Sequence, residues 1–424
     1  MKADNTLFQN KGSEGLTAAQ RQALDQIWSI FPEARLVGGV VRDLLMQRPV
    51  ADVDLATPEP PERVLDLLTQ AGVKAVPTGL SHGTITAVIA SAPYEITTLR
   101  RDTETDGRHA VVSWTTDWCE DAARRDFTIN AMSRDKDGGL HDYFGGQSDL
   151  AQGLVRFVGD ASTRIEEDAL RILRFFRFQG RYGAGMPDSQ AMQAITRHCD
   201  LLTLLSVERV WSELQRILIG PNAISQIVLM DQCGVLSRLL PEGADVNRFI
   251  SLVQAGAPAN APLRLAALAL GNKTTLARRL KLSKAEEAFL AAVSSGSVPS
   301  AEATDDALRC LLAQEPAESL IGRVWLAQAD DSVANRTGKN INEADTPEGD
   351  DTTGYEALRA RLAAMPRPVF PLAGRDVLAA GHLPGPDVGK MLQKVQDWWM
   401  QNGCTASRDA CRAQLSAALS ENLD

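Results

Sequence analysis

The chain of 424 residues is long enough to hold several domains, each with its own hydrophobic core. Its hydrophobic share of 44% and charged share of 23% are those of an ordinary soluble globular protein. Six cysteines without a CxxC pair and five dispersed histidines argue against a zinc cluster and a disulfide framework. No apolar run has the roughly 20 residues that span a bilayer, and the first residues lack a secretory pattern. We therefore expect a cytoplasmic protein without a membrane partner.

The net charge of −10 does not identify the partner. Phosphate binding depends on local positive charge, which a sum over the whole chain does not report. Residues 170–187 contain four arginines and no acid, so a basic segment exists within an acidic chain.

Short apolar runs alternate with helical segments in the first third of the chain. The patterns predict helices at 40–46 and 61–71 and strands at 34–37, 50–55, 84–90, 94–99 and on both sides of 137–139. After about residue 150 the strand pattern ends. A capping box, Thr163-x-x-Glu166, predicts one long helix that runs to about Arg181. Amphipathic helices follow, with an acidic loop at 340–353, so we expect an α+β fold with an N-terminal mixed sheet and a helical remainder.

Asp52 and Asp54 are the first candidate site residues. Residues two apart on a strand share a face, so both carboxylates can converge on the same cations. Glu95 opens a later strand and can supply a third oxygen ligand. Three carboxylates on adjacent strands suit two Mg²⁺ ions, although the Asp-x-Asp pair taken alone favours a solvated strand end.

A glycine pair, Gly38 and Gly39, separates the first strand from the first short helix. Two glycines at such a junction let backbone N–H groups approach a phosphate, and Arg42 can add a charge-assisted contact one turn later. The pair is also compatible with an ordinary tight turn. Its position favours the phosphate-binding interpretation, because the Asp-x-Asp motif follows ten residues after Arg42.

Arg124, Arg125, Asp126 and Asn130 form the next cluster. Arginine suits phosphate, and the acid and the amide suit sugar hydroxyls, so the group fits a ribose triphosphate. A surface cluster of ion pairs is the alternative.

Asp168 and Arg171 are three residues apart in a helical segment, where we expect them to be neighbours. Cytosine and adenine each present an amino donor beside a ring-nitrogen acceptor, whereas uracil and guanine present the reverse order. An Asp–Arg pair would therefore select C and A without a template. A surface salt bridge is the alternative, but it does not explain why Arg174 and Arg177 continue the three-residue spacing.

These motifs together resemble those of the class II CCA-adding enzymes, which are tRNA nucleotidyltransferases related to bacterial poly(A) polymerases. The match is dense from about residue 35 to 220 and looser beyond. The matching segments are 36–43, 52–57, 124–131, 167–174, 206–213 and 385–389. The resemblance implies a polymerase-β-like nucleotidyltransferase head at 1–150. It also implies a nucleotide-selecting helical neck at 151–220, a helical body at 221–340 and a tRNA-binding tail at 341–424.

The resemblance further implies the chemistry of the head. The enzyme would add C, C and A to the 3′ end of tRNA from CTP and ATP, with release of pyrophosphate. Asp52 and Asp54 would hold Mg²⁺, with Glu95 as a provisional third carboxylate. Gly39 and Arg42 would contact the nucleotide phosphates.

The remaining roles implied by the resemblance concern the ribose and the base. Either Arg124 or Arg125 would bind the triphosphate, and which of the two stays open. Asp168 and Arg171 would read the base, while the two following arginines would support that site or contact phosphate.

Two alternatives stay open at this point. A bacterial poly(A) polymerase shares the head, but it usually has an arginine-rich strand where this chain has residues 79–86. A segment at 100–114, with Asp102 and residues 106–109, resembles the flexible loop that lets one pocket change from C to A. A non-catalytic RNA-binding relative is the second alternative, although such a protein needs no metal carboxylates. The sequence indicates no obligate protein partner.

Overall fold

The computed structural model describes residues 15–105, 110–338, 352–381 and 383–420. The chain divides into two compact units, Met1–Pro241 and Glu242–Asp424. The first contains a sheet and helices, and the described part of the second is built from helices. No helix in the described ranges combines the length and apolar character needed to cross a bilayer. The division into four domains at about 150, 220 and 340 stays a prediction.

The first unit contains a mixed sheet. The described strands of this unit are β1 (Arg35–Val37), β2 (Asp54–Thr57), β3 (Lys74–Gly79), β4 (Thr84–Ile89), β5 (Ala92–Thr98), β6 (Arg100–Thr105), β7 (Ala110–Trp114), β8 (Met132–Arg134) and β9 (Leu140–Asp142). Across the described residues the sheet has the order β3-β4-β5-β2-β1-β8-β9, and β6 pairs with β7 as a separate hairpin. Strands β2 and β5 are parallel, and their register places Asp54 opposite Glu95.

Helices cover the sheet and follow it in the first unit. They are α1 (Ala18–Ile30), α2 (Gly39–Leu45), α3 (Pro61–Gln70), α4 (Trp118–Ala123), α5 (Gly146–Gln152), α6 (Ala161–Glu167), α7 (Leu170–Tyr182), α8 (Ser189–His198), α9 (Val207–Ile219), α10 (Ala223–Gln232) and α11 (Val235–Leu239). Buried side chains of α1, α2 and α3, among them Ile27, Val41 and Leu68, form one core with Leu55 and Ile96 of the sheet. This core fixes β2 and β5, the strands that hold two of the candidate carboxylates.

The predicted fold class is confirmed, with local corrections. The strand expected at 50–55 begins at Asp54, so Asp52 lies in the preceding bend. The reason is that Val50 donates its backbone N–H to the carbonyl of Gly15 at 3.0 Å, and its own carbonyl accepts from Gln20 at 3.1 Å. Its backbone groups are thus bonded to the N-terminal segment instead of a neighbouring strand.

The predicted capping box at Thr163 is wrong, and so is the continuous helix after it. Asp160 caps α6, because its carboxylate accepts the backbone N–H of Thr163 at 2.8 Å. The helical run is then interrupted at Asp168, which has extended dihedral angles (φ −155°, ψ 101°) between α6 and α7. The Asp168 carboxylate accepts the N–H of Leu170, the first residue of α7, at 3.1 Å.

The described part of the second unit includes helical cores near its C-terminal end. Its helices are α12 (Val246–Gln254), α13 (Ala261–Leu268), α14 (Lys273–Arg279), α15 (Lys284–Ser294), α16 (Asp305–Gln314), α17 (Ala317–Gly338), α18 (Thr352–Ala364), α19 (Gly374–Ala379), α20 (Asp387–Gln401) and α21 (Arg408–Ser420). Leu312 and Leu362 belong to a core of α16, α17 and α18. Val395 and Leu415 belong to a core of α19, α20 and α21. Of the predicted acidic loop, residues 340–351 lie outside the described residues, and α18 begins at Thr352.

Candidate active site

Three carboxylates lie at the start of β2 and on β5. Asp54 and Glu95 are register partners, and Asp52 is exposed in the bend just before β2. Val53, between the two aspartates, is 4% exposed and packs into the core, so the aspartates are held by a fixed backbone. Burial, followed by the charges of Glu95 and Asp52, raises the pKa of Asp54 to about 6, against a lowering effect of Arg125. A cation at this position would relieve the crowding of negative charge.

The residues fit an open metal site rather than a closed one. Within the described ranges, no three His, Cys, Asp or Glu side chains form a group that could hold a metal by themselves. Carboxylate oxygens are the ligands that hard divalent cations prefer, and such ions commonly complete their coordination with substrate phosphates and water. Asp52 and Asp54 therefore fit a divalent cation that is bound together with a triphosphate.

The glycine pair adjoins this carboxylate group through Arg125. Gly38 has φ +68°, a conformation that L side chains rarely adopt, and it precedes the first residue of α2. A Cβ added to Gly38 would lie 3.2 Å from an Nη atom of Arg125. Since Arg125 also acts on the pKa of Asp54, this guanidinium lies between the glycine turn and the carboxylates.

Asp121 orients both arginines of the Arg-Arg-Asp motif, and the sequence reasoning missed it. It is 3% exposed and accepts Arg124 at 2.7 and 2.9 Å and Arg125 at 3.1 Å. Burial acts to raise its pKa, but the two guanidinium groups outweigh burial and hold that pKa below its usual range. The sequence spacing could have indicated this role, because Asp121, on α4, precedes Arg124 and Arg125 by three and four residues.

A chain of hydrogen bonds connects Arg42 with α7. The guanidinium of Arg42, which is 8% exposed, donates to Asn130 Oδ1 and stacks over the ring of Tyr182 at 4.3 Å. Asn130 Nδ2 donates to Asp126 Oδ1 at 2.9 Å, and Arg174 donates to the other oxygen, Oδ2, at 2.7 Å through Nε. Arg42, Asn130 and Asp126, all predicted to bind nucleotide, are thus brought together in the interior.

Arg174 and Arg177 meet a buried acid on α9. Glu213, which is 4% exposed, accepts Arg177 Nε at 2.5 Å and lies 3.8 Å from Arg174. Glu213, 36 residues from Arg177 in sequence, is therefore the residue through which these two arginines could support the site. Sequence spacing along α7 could not reveal this partner, because it belongs to a different helix.

Asp168 and Arg171 are near each other in sequence but bond to different partners. Arg171 donates to Glu167 at 2.5 Å and to the carbonyl of Arg124 at 3.0 Å. Asp168 accepts Arg209 of α9 at 2.7 Å. The predicted helical i,i+3 pair is replaced by two separate pairs, because the chain is extended at Asp168. Arg209 is a partner that the sequence reasoning did not assign.

The segment predicted at 100–114 is the β6–β7 hairpin. Strands β6 and β7 pair from Arg100 opposite Trp114 to Thr105 opposite Ala110. Residues 106–109 lie outside the described residues. The ring of Trp114, at the base of the hairpin, packs against Gly83, where an added Cβ would lie 2.7 Å from that ring.

Comparison with known families gives two matches, both of which lie almost entirely within the first unit. The family described as "Poly A polymerase head domain" matches residues 34–156, which include the carboxylates and the Arg-Arg-Asp motif. The family described as "Probable RNA and SrmB- binding site of polymerase A" matches residues 187–246.

Individual relatives extend the match over nearly the whole chain. A Danio rerio protein named "CCA tRNA nucleotidyltransferase 1, mitochondrial" is 36% identical over 396 residues, covering 91% of this chain and 87% of that protein. A "CCA-adding enzyme" of Geobacillus sp. (strain WCH70) is 40% identical over 48% of this chain and 50% of its own. The crystal structure of the Bacillus stearothermophilus CCA-adding enzyme with CTP has a TM-score of 0.70 and 25% identity, covering 94% and 98% of the two chains. The chain therefore belongs to the CCA tRNA nucleotidyltransferase family.

Proposed function

We propose that this nucleotidyltransferase adds C, C and A in turn to the 3′ end of tRNA, using CTP and ATP and releasing pyrophosphate. The observation that carries the proposal is the burial of Asp54 beside the carboxylates of Glu95 and Asp52, which raises the pKa of Asp54 to about 6 against the lowering effect of Arg125. Ionised carboxylates repel one another at such a site, and a bound cation together with a triphosphate would offset that repulsion. The relatives named for this reaction match across both units.

We assign the metal site to Asp52 and Asp54, and we propose Mg²⁺ as the ion. A divalent cation there supplies Lewis acidity, which lowers the pKa of an attacking hydroxyl and neutralises charge on the triphosphate. Glu95 is the proposed third carboxylate, because its register with Asp54 places it on the adjoining strand.

We assign the triphosphate contact to Arg125 rather than Arg124. Arg125 borders Gly38 and acts on Asp54, whereas the backbone carbonyl of Arg124 is bonded to Arg171. We propose that a phosphate binds at the glycine turn, next to this guanidinium and to the backbone of Gly39. Catalysis by these residues is mainly positioning and charge neutralisation.

Arg42, Asp126 and Asn130 were predicted to touch the nucleotide, and that contact stays a prediction. The hydrogen bonds within this group support a role in positioning other site residues. Both carboxylate oxygens of Asp126 accept hydrogen bonds, and the Arg42 guanidinium lies over the ring of Tyr182. We propose that this group fixes the distance between the metal carboxylates and α7.

The base would be read where α7 begins. Asp168 offers carboxylate acceptors and Arg171 offers guanidinium donors, the pattern that suits the Watson–Crick edges of C and A. Both groups have protein partners, Arg209 and Glu167, that hold them in place. We propose that an incoming C or A bonds to their remaining donor and acceptor positions.

One assay tests the function. Purified enzyme and Mg²⁺ would be incubated with tRNA that lacks CCA, together with labelled CTP, ATP or both. We expect addition of C, C and then A, and addition stops there. A long A-tract would support a poly(A) polymerase, and no incorporation would support a non-catalytic RNA-binding relative. A cytoplasmic location stays part of this proposal, to be tested by fractionation.

A further inference from the structure

Two thiols face each other in the second unit. Cys310 lies on α16, and Cys404 lies in the turn between α20 and α21, 94 residues later. Their Sγ atoms are 3.6 Å apart, and both cysteines are free. A disulfide bond would require these atoms to approach by only about 1.6 Å more, since its S–S length is near 2.05 Å.

The turn is held against α16 by contacts on both sides of the thiols. Arg309 Nε donates to the carbonyl of Gly403 at 3.1 Å, and the Cys310 thiol donates to the carbonyl of Met400 at 2.9 Å. A Cβ added to Gly403 would lie 2.5 Å from the side chain of Asp306, so the turn packs closely on the side chains of α16 at this point. These contacts hold the turn, and with it Cys404, next to Cys310.

The two thiols differ in environment. Cys404 is 7% exposed, and burial, followed by its hydrogen bond to Cys310, raises the pKa of its thiol to about 12. Cys310 is only half-buried. A solute can therefore reach Cys310 first, and Cys404 is positioned to react with it afterwards. Since no described group of three ligands could hold a metal, the geometry favours a bond between the sulfurs.

We propose that Cys310 and Cys404 are a disulfide-forming site whose reaction partner is a low-molecular-weight disulfide such as oxidised glutathione. The Cys310 thiolate attacks one sulfur of that molecule, forming a mixed disulfide and releasing one thiol. The Cys404 thiolate then attacks Cys310 Sγ, and the second thiol leaves. The protein dithiol is oxidised by two electrons, the small disulfide is reduced to two thiols, and the two cysteine protons end on these thiols.

The bond would join the core of α16, α17 and α18 to the core of α19, α20 and α21. It would close a long loop and so restrict the unfolded chain. The second unit should then unfold at a higher temperature, by roughly 5–10 °C if the stabilisation is of ordinary size. Reduction with dithiothreitol should return the original value.

Peptide mapping of the whole enzyme tests the bond itself. The reduced protein would be equilibrated with oxidised and reduced glutathione, alkylated, and digested with trypsin without reduction. We expect a species that joins residues 310–323 to 395–408 and is lighter than the two peptides by two hydrogen atoms. Arg408 separates Cys404 from Cys411, so the map distinguishes the proposed bond from one to Cys411.

Three variants complete the test. The rise in melting temperature should vanish in Cys310→Ser and in Cys404→Ser, and it should persist in Cys119→Ser, which removes an exposed thiol elsewhere. Lasting glutathione on Cys310 without the joined peptides would overturn the proposal. So would joined peptides that involve Cys411, or unmodified thiols in a glutathione buffer that oxidises a control dithiol. The mapping uses the wild-type chain, so it does not depend on how well a variant folds.

Discussion

Arg174 and Asp126, 48 residues apart in sequence, form a partly buried ion pair in which Nη2 and Oδ2 are 2.6 Å apart. Burial acts to raise the pKa of Asp126, but the Arg174 guanidinium and the amide of Asn130 outweigh it and hold that pKa below its usual range. The pair links the Arg-Arg-Asp segment to α7. It therefore connects the metal carboxylates with the residues proposed to read the base.

Replacement of Asp126 by alanine should destabilise the first unit strongly. The change removes acceptors from Arg174, Asn130 and the backbone N–H of Phe127, and it leaves Arg174 with only the more distant Glu213, 3.8 Å away, as an ion-pair partner. We expect the free energy of unfolding to fall by about 3–5 kcal/mol, the usual cost of breaking such a pair. Urea titration followed by circular dichroism measures it. The control is Asp66→Ala, an exposed site on α3, and an equal loss in both variants would contradict the role of the pair.

Replacement of Asp54 by asparagine should abolish nucleotide addition yet stabilise the metal-free protein. The folded-state pKa of Asp54 is about 6, above its ordinary value of 3.8, so the folded protein binds the proton more tightly than the unfolded chain. This contribution to stability is present at low pH and is lost as pH rises from about 4 to 6. At pH 8 the ionised carboxylate therefore opposes folding.

The measurement compares wild type and Asp54→Asn in EDTA at several pH values. We expect the variant to be more stable by about 1–2 kcal/mol at pH 8, after allowance for solvent screening, and to show no advantage near pH 4. Added Mg²⁺ should stabilise the wild type and leave the variant unchanged. A variant less stable than wild type at pH 8 would show that Asp54 is satisfied without a cation.

Much of the head followed from local spacing in the sequence. Asp52 and Asp54 flank the buried Val53, and alternation alone indicated that the two carboxylates face together. The order of strands, and with it the position of Glu95, came from a parallel pairing that crosses some forty residues of chain. Local patterns predict which side chains share an element, but they do not fix which elements become neighbours.

The helices α6, α7 and α9 show the same limit of prediction from local patterns. The spacing of Arg174 and Arg177 predicted a shared face but not Glu213, which belongs to another helix. Periodicity also continued through Asp168, because α6 and α7 are both amphipathic and the interruption takes very few residues. At this interruption Asp168 bonds to Arg209, a contact between distant segments that no local pattern contains.

The pairs at the start of α7 predict separable effects on nucleotide choice. Glu167→Ala should remove one of the bonds that hold the Arg171 guanidinium and relax discrimination against UTP by about tenfold, the equivalent of one hydrogen bond of ~1.4 kcal/mol. Arg209→Ala should weaken the hold on Asp168 and raise KM for CTP and ATP together. Single-nucleotide incorporation with CTP, ATP and UTP measures both effects.

The matched control is Arg216→Ala on the same helix as Arg209. Its side chain is 56% exposed and lies 3.7 Å from Glu213, so we expect little change in KM. If the Arg209 and Arg216 variants behave alike, the effect comes from lost positive charge on α9 and not from the position of Asp168.

Replacement of Gly83 by alanine should disturb the β6–β7 hairpin while leaving the carboxylates in place. Gly83 has φ +75°, where an L side chain is strained by about 1–2 kcal/mol. The added Cβ would also meet the ring of Trp114 at 2.7 Å, so the base of the hairpin must move. We expect a modest loss of stability together with a specific change in activity.

The expected change concerns the step from C to A. If the hairpin lets one pocket change its choice of nucleotide, Gly83→Ala should keep most C addition and lose most A addition, and product would accumulate as tRNA ending in CC. Gly72→Ala is the control, because Gly72 has a similar φ of +69° but no atom near its added Cβ. Gly72→Ala therefore imposes the same backbone strain without displacing the hairpin. Equal loss of C and A addition in Gly83→Ala would show that the hairpin serves catalysis in general and not the change of nucleotide.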